Sequence, residues 1–153
     1  MLRKSRTRSR FKFCTPKKPK QAYAIANNGR KVRHGVSKEE TDWLNKLGIV
    51  ERSKVIILFG KTMVIDGFNS KTNTCYEYMG SWTHGAHQRY PNNRDVISPF
   101  LKKSPNQLYF GTIERYNLLV GAGFKVFFVW DYQYKKGNLG RYYRGPGDNM
   151  YWG

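Results

Sequence analysis

The spacing of apolar residues predicts a first helix shortly after residue 36. Ser37 and Glu40 match a capping box, in which a serine side chain and an acid three residues later bond each other's backbone N–H groups. Gly48 is a typical residue for the end of the helix. Three apolar residues fall on one helical face: Trp43, Leu44 and Leu47.

Three short apolar runs at 54–59, 61–68 and 74–79 predict strands. Gly60-Lys61 is a turn between the first two strands, and residues 69–73 form the loop of a hairpin. Residues 80–107 are rich in Pro, Asn and His and predict irregular structure. Residues 124–130, FKVFFVW, are almost continuously apolar and predict a buried central strand.

A second helix is predicted over residues 108–121, where apolar residues recur at helical spacing. Its predicted apolar positions are Leu108, Ile113, Tyr116, Leu119 and Val120. The order of helix, strands, helix and strand predicts an α/β domain with a single mixed central sheet flanked by helices. We divide the chain into a basic arm (1–36), this domain (37–131) and a Tyr- and Gly-rich tail (132–153).

Length and composition exclude several classes of protein. A chain of 153 residues forms one domain with tails. No apolar run approaches the ~18 residues of a membrane span, and no apolar stretch follows the basic N-terminus, so neither a membrane protein nor a secreted one is expected. Cys14 and Cys75 cannot supply a disulfide scaffold or a four-ligand zinc site, so we expect no zinc.

The positive charge is concentrated at the N-terminus. Residues 1–38 contain thirteen Lys and Arg and no Asp or Glu, so they carry +13 of the formal net charge of +18. Such an arm is typical of phosphate binding with counterion release, although a solubilising or nuclear-import segment has similar composition. The predicted nucleic-acid-binding residues of the arm are Arg3, Lys4, Arg6, Arg8, Arg10, Lys12, Lys17, Lys18 and Lys20.

The few acids suggest where chemistry can occur. Asp66 lies near the end of one predicted strand and Glu77 in the middle of the next, so a hairpin can bring the two carboxylates together. Converging carboxylate oxygens suit Mg²⁺ or Mn²⁺, which can polarise a phosphodiester and activate water. His84 follows closely and can transfer a proton. Alternatively, Asp66 is a turn residue, Glu77 a partner of a surface Lys, and His84 a loop residue.

Residues 65–85, IDGFNSKTNTCYEYMGSWTHG, resemble the signature of very short patch repair (Vsr)-like endonucleases of the PD-(D/E)XK superfamily. The family has relatives in phages and large DNA viruses. The matching positions are Asp66-Gly67-Phe68, Thr74, Tyr76-Glu77-Tyr78, Gly80, Trp82 and His84-Gly85. An upstream block at 37–49 and a downstream block that contains Thr112, Arg115, Gly123, Phe124 and Trp130 keep the family spacing, so the resemblance covers about residues 37–131.

The resemblance implies a restriction-endonuclease-like sheet that carries a metal-dependent DNA endonuclease site. Asp66 and Glu77 would bind Mg²⁺ (or Mn²⁺), Glu40 would support the site, and His84 would be the catalytic histidine. Arg115 joins the arm as a predicted nucleic-acid contact. The resemblance also implies a viral particle or the nucleus or cytoplasm of a host as the location, and a viral or nucleoprotein assembly as a partner.

Two departures from the family pattern keep alternatives open. The superfamily usually places Lys two residues after the second acid, where this chain has Met79, and Thr83 separates Trp82 from His84. A catalytically inactive nuclease fold that binds nucleic acid or builds a virion is therefore the alternative function. An RNA-associated structural protein, which would need the arm and the tail but not the carboxylates, is a third.

The C-terminal tail alternates aromatic rings with cations. Aromatic rings can stack on exposed bases while cations follow the phosphate backbone, or the same rings can pack on the domain or on a partner protein. The five glycines of the tail predict no regular structure there. The residues concerned are Tyr132, Tyr134, Tyr142, Tyr143, Tyr151 and Trp152, with Lys135, Lys136, Arg141 and Arg144.

Overall fold

A computed structural model describes residues 36–151. The predicted nucleic-acid-binding residues of the arm, Arg3 to Lys20, and Trp152 of the tail lie outside this range. The elements in chain order are α1 (Lys38–Lys46), β1 (Glu51–Leu58), β2 (Lys61–Asn69), β3 (Thr74–Met79), α2 (Pro105–Gly121), β4 (Lys125–Trp130), α3 (Asp131–Lys135) and β5 (Arg141–Tyr142).

The strands form one mixed sheet in the order β1-β2-β3-β4-β5. β1, β2 and β3 pair antiparallel in sequence, β3 and β4 pair parallel, and β5 pairs antiparallel with β4. The connection from β3 to β4 runs through α2, as a parallel pair requires. The predicted α/β class with a single mixed sheet and flanking helices is confirmed. No helix within residues 36–151 is long and apolar enough to cross a membrane.

Each face of the sheet buries its own apolar cluster, because successive residues of a strand point to opposite faces. On β4, Val126, Phe128 and Trp130 belong to the larger cluster, which α2 covers through Tyr116 and Leu119. Val129 belongs to the second cluster, with Trp43 and Leu44 of α1. The buried apolar run predicted at 124–130 therefore packs on both faces, which explains why it lacks the alternation of a half-exposed strand.

The second helix begins earlier than the sequence pattern predicts. Ser104 and Gln107 form the capping box that starts α2 at Pro105. The irregular segment predicted over residues 80–107 therefore ends at residue 104. Pro105 suits the first turn because proline has no N–H to leave unbonded. Tyr116 and Leu119 lie on the buried face as predicted, but Tyr109 and Thr112 complete it, while Leu108 and Ile113 are only partly buried.

The segment after β4 is more regular than its glycines predict. It forms α3 and the two-residue strand β5, and then returns across the larger cluster. The Trp130 indole N–H donates to the Met150 carbonyl oxygen at 2.6 Å, and Tyr143 is buried in the same cluster. Tyr151 stacks on Trp130 with ring centroids 5.7 Å apart. Of the two interpretations of the tail aromatics, these side chains follow the one in which they pack on the domain.

Gly67 allows α1 to approach the sheet. A Cβ atom at this position would lie 2.6 Å from Leu44 Cδ2 and 3.0 Å from Ile49 Cγ2, and both of these side chains are buried. We therefore expect Gly67→Ala to lower the free energy of unfolding by about 1–3 kcal/mol, the usual cost of overpacking a core. Urea denaturation followed by tryptophan fluorescence measures the change.

Gly111 provides the matched control for this substitution. It lies inside α2 and has no atom within 4 Å of an added Cβ. Gly111→Ala should raise the free energy of unfolding by about 0.5–1 kcal/mol, because alanine has the higher helix propensity. Equal effects of the two substitutions would contradict the close packing of α1 against Gly67.

Candidate active site

The cleft that contains the predicted site residues opens where β2 and β3 separate. The two strands pair through only three residue pairs, and the ladder ends at Gly67–Tyr76. At the next position of the register, Asp66 lies opposite Glu77, and the Asp66 carboxylate accepts the Tyr78 N–H at 2.8 Å. A side chain thus bonds a backbone N–H of β3 at the point where the strands diverge.

The backbone of β1 is unusual beside this point. Ser53 lies between the pairs Arg52–Gly67 and Lys54–Ile65, opposite Asp66, and has a φ of 49°. A non-glycine residue in the left-handed region is strained and often marks a functional site. β1 also begins at Glu51, three residues earlier than its apolar run predicts. Neither the φ of Ser53 nor the early start of β1 has a recognisable signal in the sequence.

The cleft has a volume of about 510 Å³ and is lined by all four predicted catalytic residues. Asp66 and Glu77 come from β2 and β3, Glu40 from the first turn of α1, and His84 from the loop after β3. Asp66 and Glu77 are each only 5% exposed. Residues separated by up to 44 positions in the sequence therefore lie at one cleft. For Asp66 and Glu77, the predicted hairpin already indicated this proximity.

Arg115 of α2 contacts Glu77 inside the cleft. Its Nη2 and Nε lie 2.6 Å and 3.2 Å from Glu77 Oε1, and Nη2 also donates to the Val64 carbonyl oxygen. Burial by itself lowers the pKa of Arg115, but the charge and the hydrogen bond of Glu77 outweigh it and leave the pKa raised. The guanidinium therefore stays charged and balances the buried carboxylate; its contact with nucleic acid stays a prediction.

His84 is oriented by Thr112, a residue that sequence reasoning noted only for its spacing. The Thr112 hydroxyl donates to the Leu108 carbonyl oxygen at 3.1 Å, and it lies 2.9 Å from His84 Nδ1. We assign the hydroxyl proton to the Leu108 carbonyl oxygen, so that Nδ1 donates to the Thr112 oxygen. The neutral imidazole then carries its lone pair on Nε2, the atom that can accept a proton.

Asp131 fixes the loop that carries His84. Its carboxylate accepts the Ser81 N–H at 3.0 Å, the Ser81 hydroxyl and the Tyr132 N–H at 2.7 Å. The loop then turns through a hydrogen bond from the His84 N–H to the Gly80 carbonyl oxygen. The sequence identified Asp131 only as the acid that follows the last strand. Its structural partner, Ser81, is fifty residues away and had no recognisable signal.

The cleft contains half of the acids of the chain. Only ten Asp and Glu occur in 153 residues, and five of them line this one cleft. They are Glu39, Glu40, Asp66, Glu77 and Asp131. Arg115 and Lys135 are the cations in its lining. The sequence placed Lys135 in the tail, and only the formation of α3 brings it to the cleft.

The donor atoms partly fit a divalent metal ion. Asp66 and Glu77 offer the carboxylate oxygens that Mg²⁺ prefers, and their observed hydrogen bonds engage Oδ2 and Oε1. Within residues 36–151, no group of three or more His, Cys, Asp or Glu is arranged to hold a metal. Mg²⁺ usually binds through one or two carboxylates together with waters and substrate phosphates, so a pair of carboxylates is an adequate protein contribution.

Comparisons with known proteins add no relative from which to infer the function of this cleft. No protein-family model, no curated protein and no solved structure matches the chain.

Proposed function

We propose that this protein is a metal-dependent DNA endonuclease with a restriction-endonuclease-like fold. The observation that carries the proposal is that Asp66, Glu77, Glu40 and His84 line one cleft. The sequence predicts this chemistry for the same four residues. A concentration of acids would repel a phosphodiester, so its use by a nuclease requires a cation in the cleft.

Asp66 and Glu77 would hold Mg²⁺ or Mn²⁺, which supplies charge stabilisation at the phosphate and lowers the pKa of bound water. Arg115 orients the Glu77 carboxylate through its two hydrogen bonds and balances its negative charge. Lys135, exposed at the cleft, can balance the charge of a substrate phosphate. The basic arm would hold the DNA backbone without reading its sequence.

His84 can act as the general base or acid of the reaction. With the proton of the neutral imidazole on Nδ1, beside the Thr112 hydroxyl, Nε2 is the basic nitrogen, which would take a proton from water or return one to the leaving oxygen. Thr112 is a positioning residue, because it contacts the imidazole at Nδ1 and is not part of the lining of the cleft. This division of roles follows the pattern in which a catalytic histidine is oriented through its second ring nitrogen.

The direct test is cleavage of supercoiled plasmid and of branched or mismatched DNA by the full chain with Mg²⁺ or Mn²⁺. An EDTA control removes the metal, and the cleaved ends are mapped on labelled oligonucleotides. Metal-dependent hydrolysis would support the proposal. Tight binding without cleavage of any substrate would overturn it.

The second candidate function is nucleic-acid binding without catalysis, and the position of Met79 favours it. Met79 is fully buried in the larger apolar cluster, so the side chain two residues after Glu77 faces the core. A lysine at this position would point away from water, and Met79 itself cannot stabilise developing charge. If this candidate is correct, binding and its salt dependence persist when the acids of the cleft are replaced.

If the endonuclease is active, His84→Ala should reduce the cleavage rate by about 10²–10⁴-fold, the usual contribution of general acid–base catalysis. The substitution should also remove the part of the pH–rate profile that an imidazole produces between about pH 5 and 8. Single-turnover cleavage as a function of pH measures both effects. An unchanged profile would exclude proton transfer by His84.

Thr112 should affect the same profile more weakly. Thr112→Val removes the hydroxyl that receives the Nδ1 proton, so we expect a lower rate and an altered apparent pKa, whereas Thr112→Ser should restore both. A fall in thermal stability without any change in the pH profile would mean that Thr112 acts only in packing α2.

A further inference from the structure

A second groove, which we call the apolar–basic groove, lies at the N-terminal half of α2. It has a volume of about 830 Å³, and its lining includes Ile97, Lys102, Lys103 and Phe110. Phe110 is 62% exposed, and Phe100, in the same loop as the lysines, is 83% exposed. Val96 and Ile97 are also exposed, so four of the large exposed apolar side chains within residues 36–151 occur between positions 96 and 110.

Hydrogen bonds hold the loop that presents Val96, Ile97 and Phe100, whereas Phe110 lies on α2. The Arg94 guanidinium donates to the carbonyl oxygens of Tyr90 and Gly85 and to Asn106 Oδ1. The Ser98 N–H donates to the Lys103 carbonyl oxygen at 3.0 Å, and the Lys102 N–H donates to the Ser98 carbonyl oxygen at 2.8 Å. The loop is thus fixed at both ends while its apolar side chains stay in water, an arrangement typical of a binding surface.

The charges of the groove favour an anionic ligand. Asp95 accepts a hydrogen bond from Asn106 at 2.8 Å, and Glu114 forms a salt bridge with Lys61 at 2.5 Å. The lining holds two acids and two lysines, and Lys61 beside it pairs with Glu114, so the groove together with Lys61 has one cation more than it has acids. Exposed aromatic rings beside cations bind single-stranded nucleic acid, because each base can stack on a ring while the cations follow the phosphates.

A shallow depression on α2 lies beside both this groove and the active-site cleft. Its lining shares Arg115 with the cleft and Gly111 and Glu114 with the groove. Gln107 of the groove and Arg115 of the cleft are eight residues apart on one helix, which corresponds to about 12 Å at the α-helical rise. This distance equals roughly three to four nucleotides at the ~3.4 Å spacing of stacked bases.

We propose that the apolar–basic groove binds a single-stranded DNA segment that continues from the strand in the active-site cleft. This inference rests on the proposed function and narrows its substrate class to DNA with a single-stranded segment next to the scissile bond. Phe110 in the groove and Phe100 on the adjacent loop stack on bases, and Lys102 and Lys103 contact the phosphates. The basic arm binds any DNA, whereas this groove selects for the unpaired strand.

The test is the affinity of the full chain, in EDTA, for labelled duplexes with single-stranded extensions of zero to eight nucleotides at either end. The wild type should bind more tightly once one extension exceeds about four nucleotides. The double variant Phe100→Ala/Phe110→Ala keeps the charge and should lose this gain by about tenfold or more, with unchanged affinity for the blunt duplex. The control variant is Val50→Ala/Lys71→Ala. Both positions are exposed and lie near the C-terminal end of β2, so this variant should keep the gain in affinity.

The outcomes separate this inference from the proposed function. If the double variant keeps the gain, or the wild type shows none, the inference is overturned even when the protein cleaves DNA. If the gain is lost in the double variant but no DNA is cleaved, single-strand binding by the groove is supported and the proposed endonuclease activity is wrong. If the double variant instead abolishes concentration-dependent self-association without changing DNA affinity, the surface is a protein interface and the inference is wrong.

Discussion

Asp66→Asn should abolish DNA cleavage while it preserves the fold. The amide keeps an oxygen that can accept the Tyr78 N–H, so β2 and β3 should separate as before. The amide removes the negative charge that attracts a divalent cation, so the stabilisation of the transition state by the metal is lost. A loss of several kcal/mol corresponds to a rate reduction of about 10³-fold or more. DNA affinity should be unchanged or higher, because one negative charge leaves the cleft.

Asp42→Asn is the matched control for this prediction. Asp42 lies on α1, exposed and outside the lining of the cleft, so the same chemical change there should leave cleavage intact. Single-turnover cleavage and filter binding measure the two effects, and circular dichroism checks the fold. Residual cleavage by Asp66→Asn at the wild-type rate would remove Asp66 from the active site.

Arg115→Met should produce the largest loss of stability among substitutions in the cleft. It leaves the Glu77 carboxylate buried without the guanidinium that compensates its charge, and breaking a buried pair in this way costs about 3–5 kcal/mol. Urea denaturation measures the loss. Because the isolated carboxylate is stabilised by a proton, its folded-state pKa should rise above the unfolded value, so the loss should shrink as the pH falls.

The double variant Glu77→Gln/Arg115→Met tests the cause. Removing the carboxylate charge as well should recover much of the stability, since no buried ion remains. Glu77→Gln alone should be milder than Arg115→Met, because the Arg115 side chain is 27% exposed and water can solvate it. If the double variant is as unstable as the sum of the single variants, Arg115 stabilises α2 by packing rather than by its charge.

Some positions in the candidate active site follow from nearby sequence, whereas others depend on residues far away in the chain. The placement of Asp66 and Glu77 on neighbouring strands could be inferred from the hairpin, since a short loop fixes the register of the two strands. The orientation of His84 could not be inferred, because Thr112 belongs to a helix twenty-eight residues away. Lys135 and Asp131 reach the cleft through α3, a five-residue helix without a recognisable N-cap side chain.

The sequence by itself determined the class of the fold, the approximate extents of the helices and strands before Asp131, and four of the residues that line the cleft. These depend on local periodicity, capping and turn chemistry, which act over a few residues. Only the tertiary structure decided that Arg115 pairs with Glu77, that Tyr143 and Tyr151 of the tail pack on the domain, and that a groove lies along α2. Those features arise from contacts between residues far apart in the chain, where the energy comes from burial and charge pairing and local sequence carries little information about the partner.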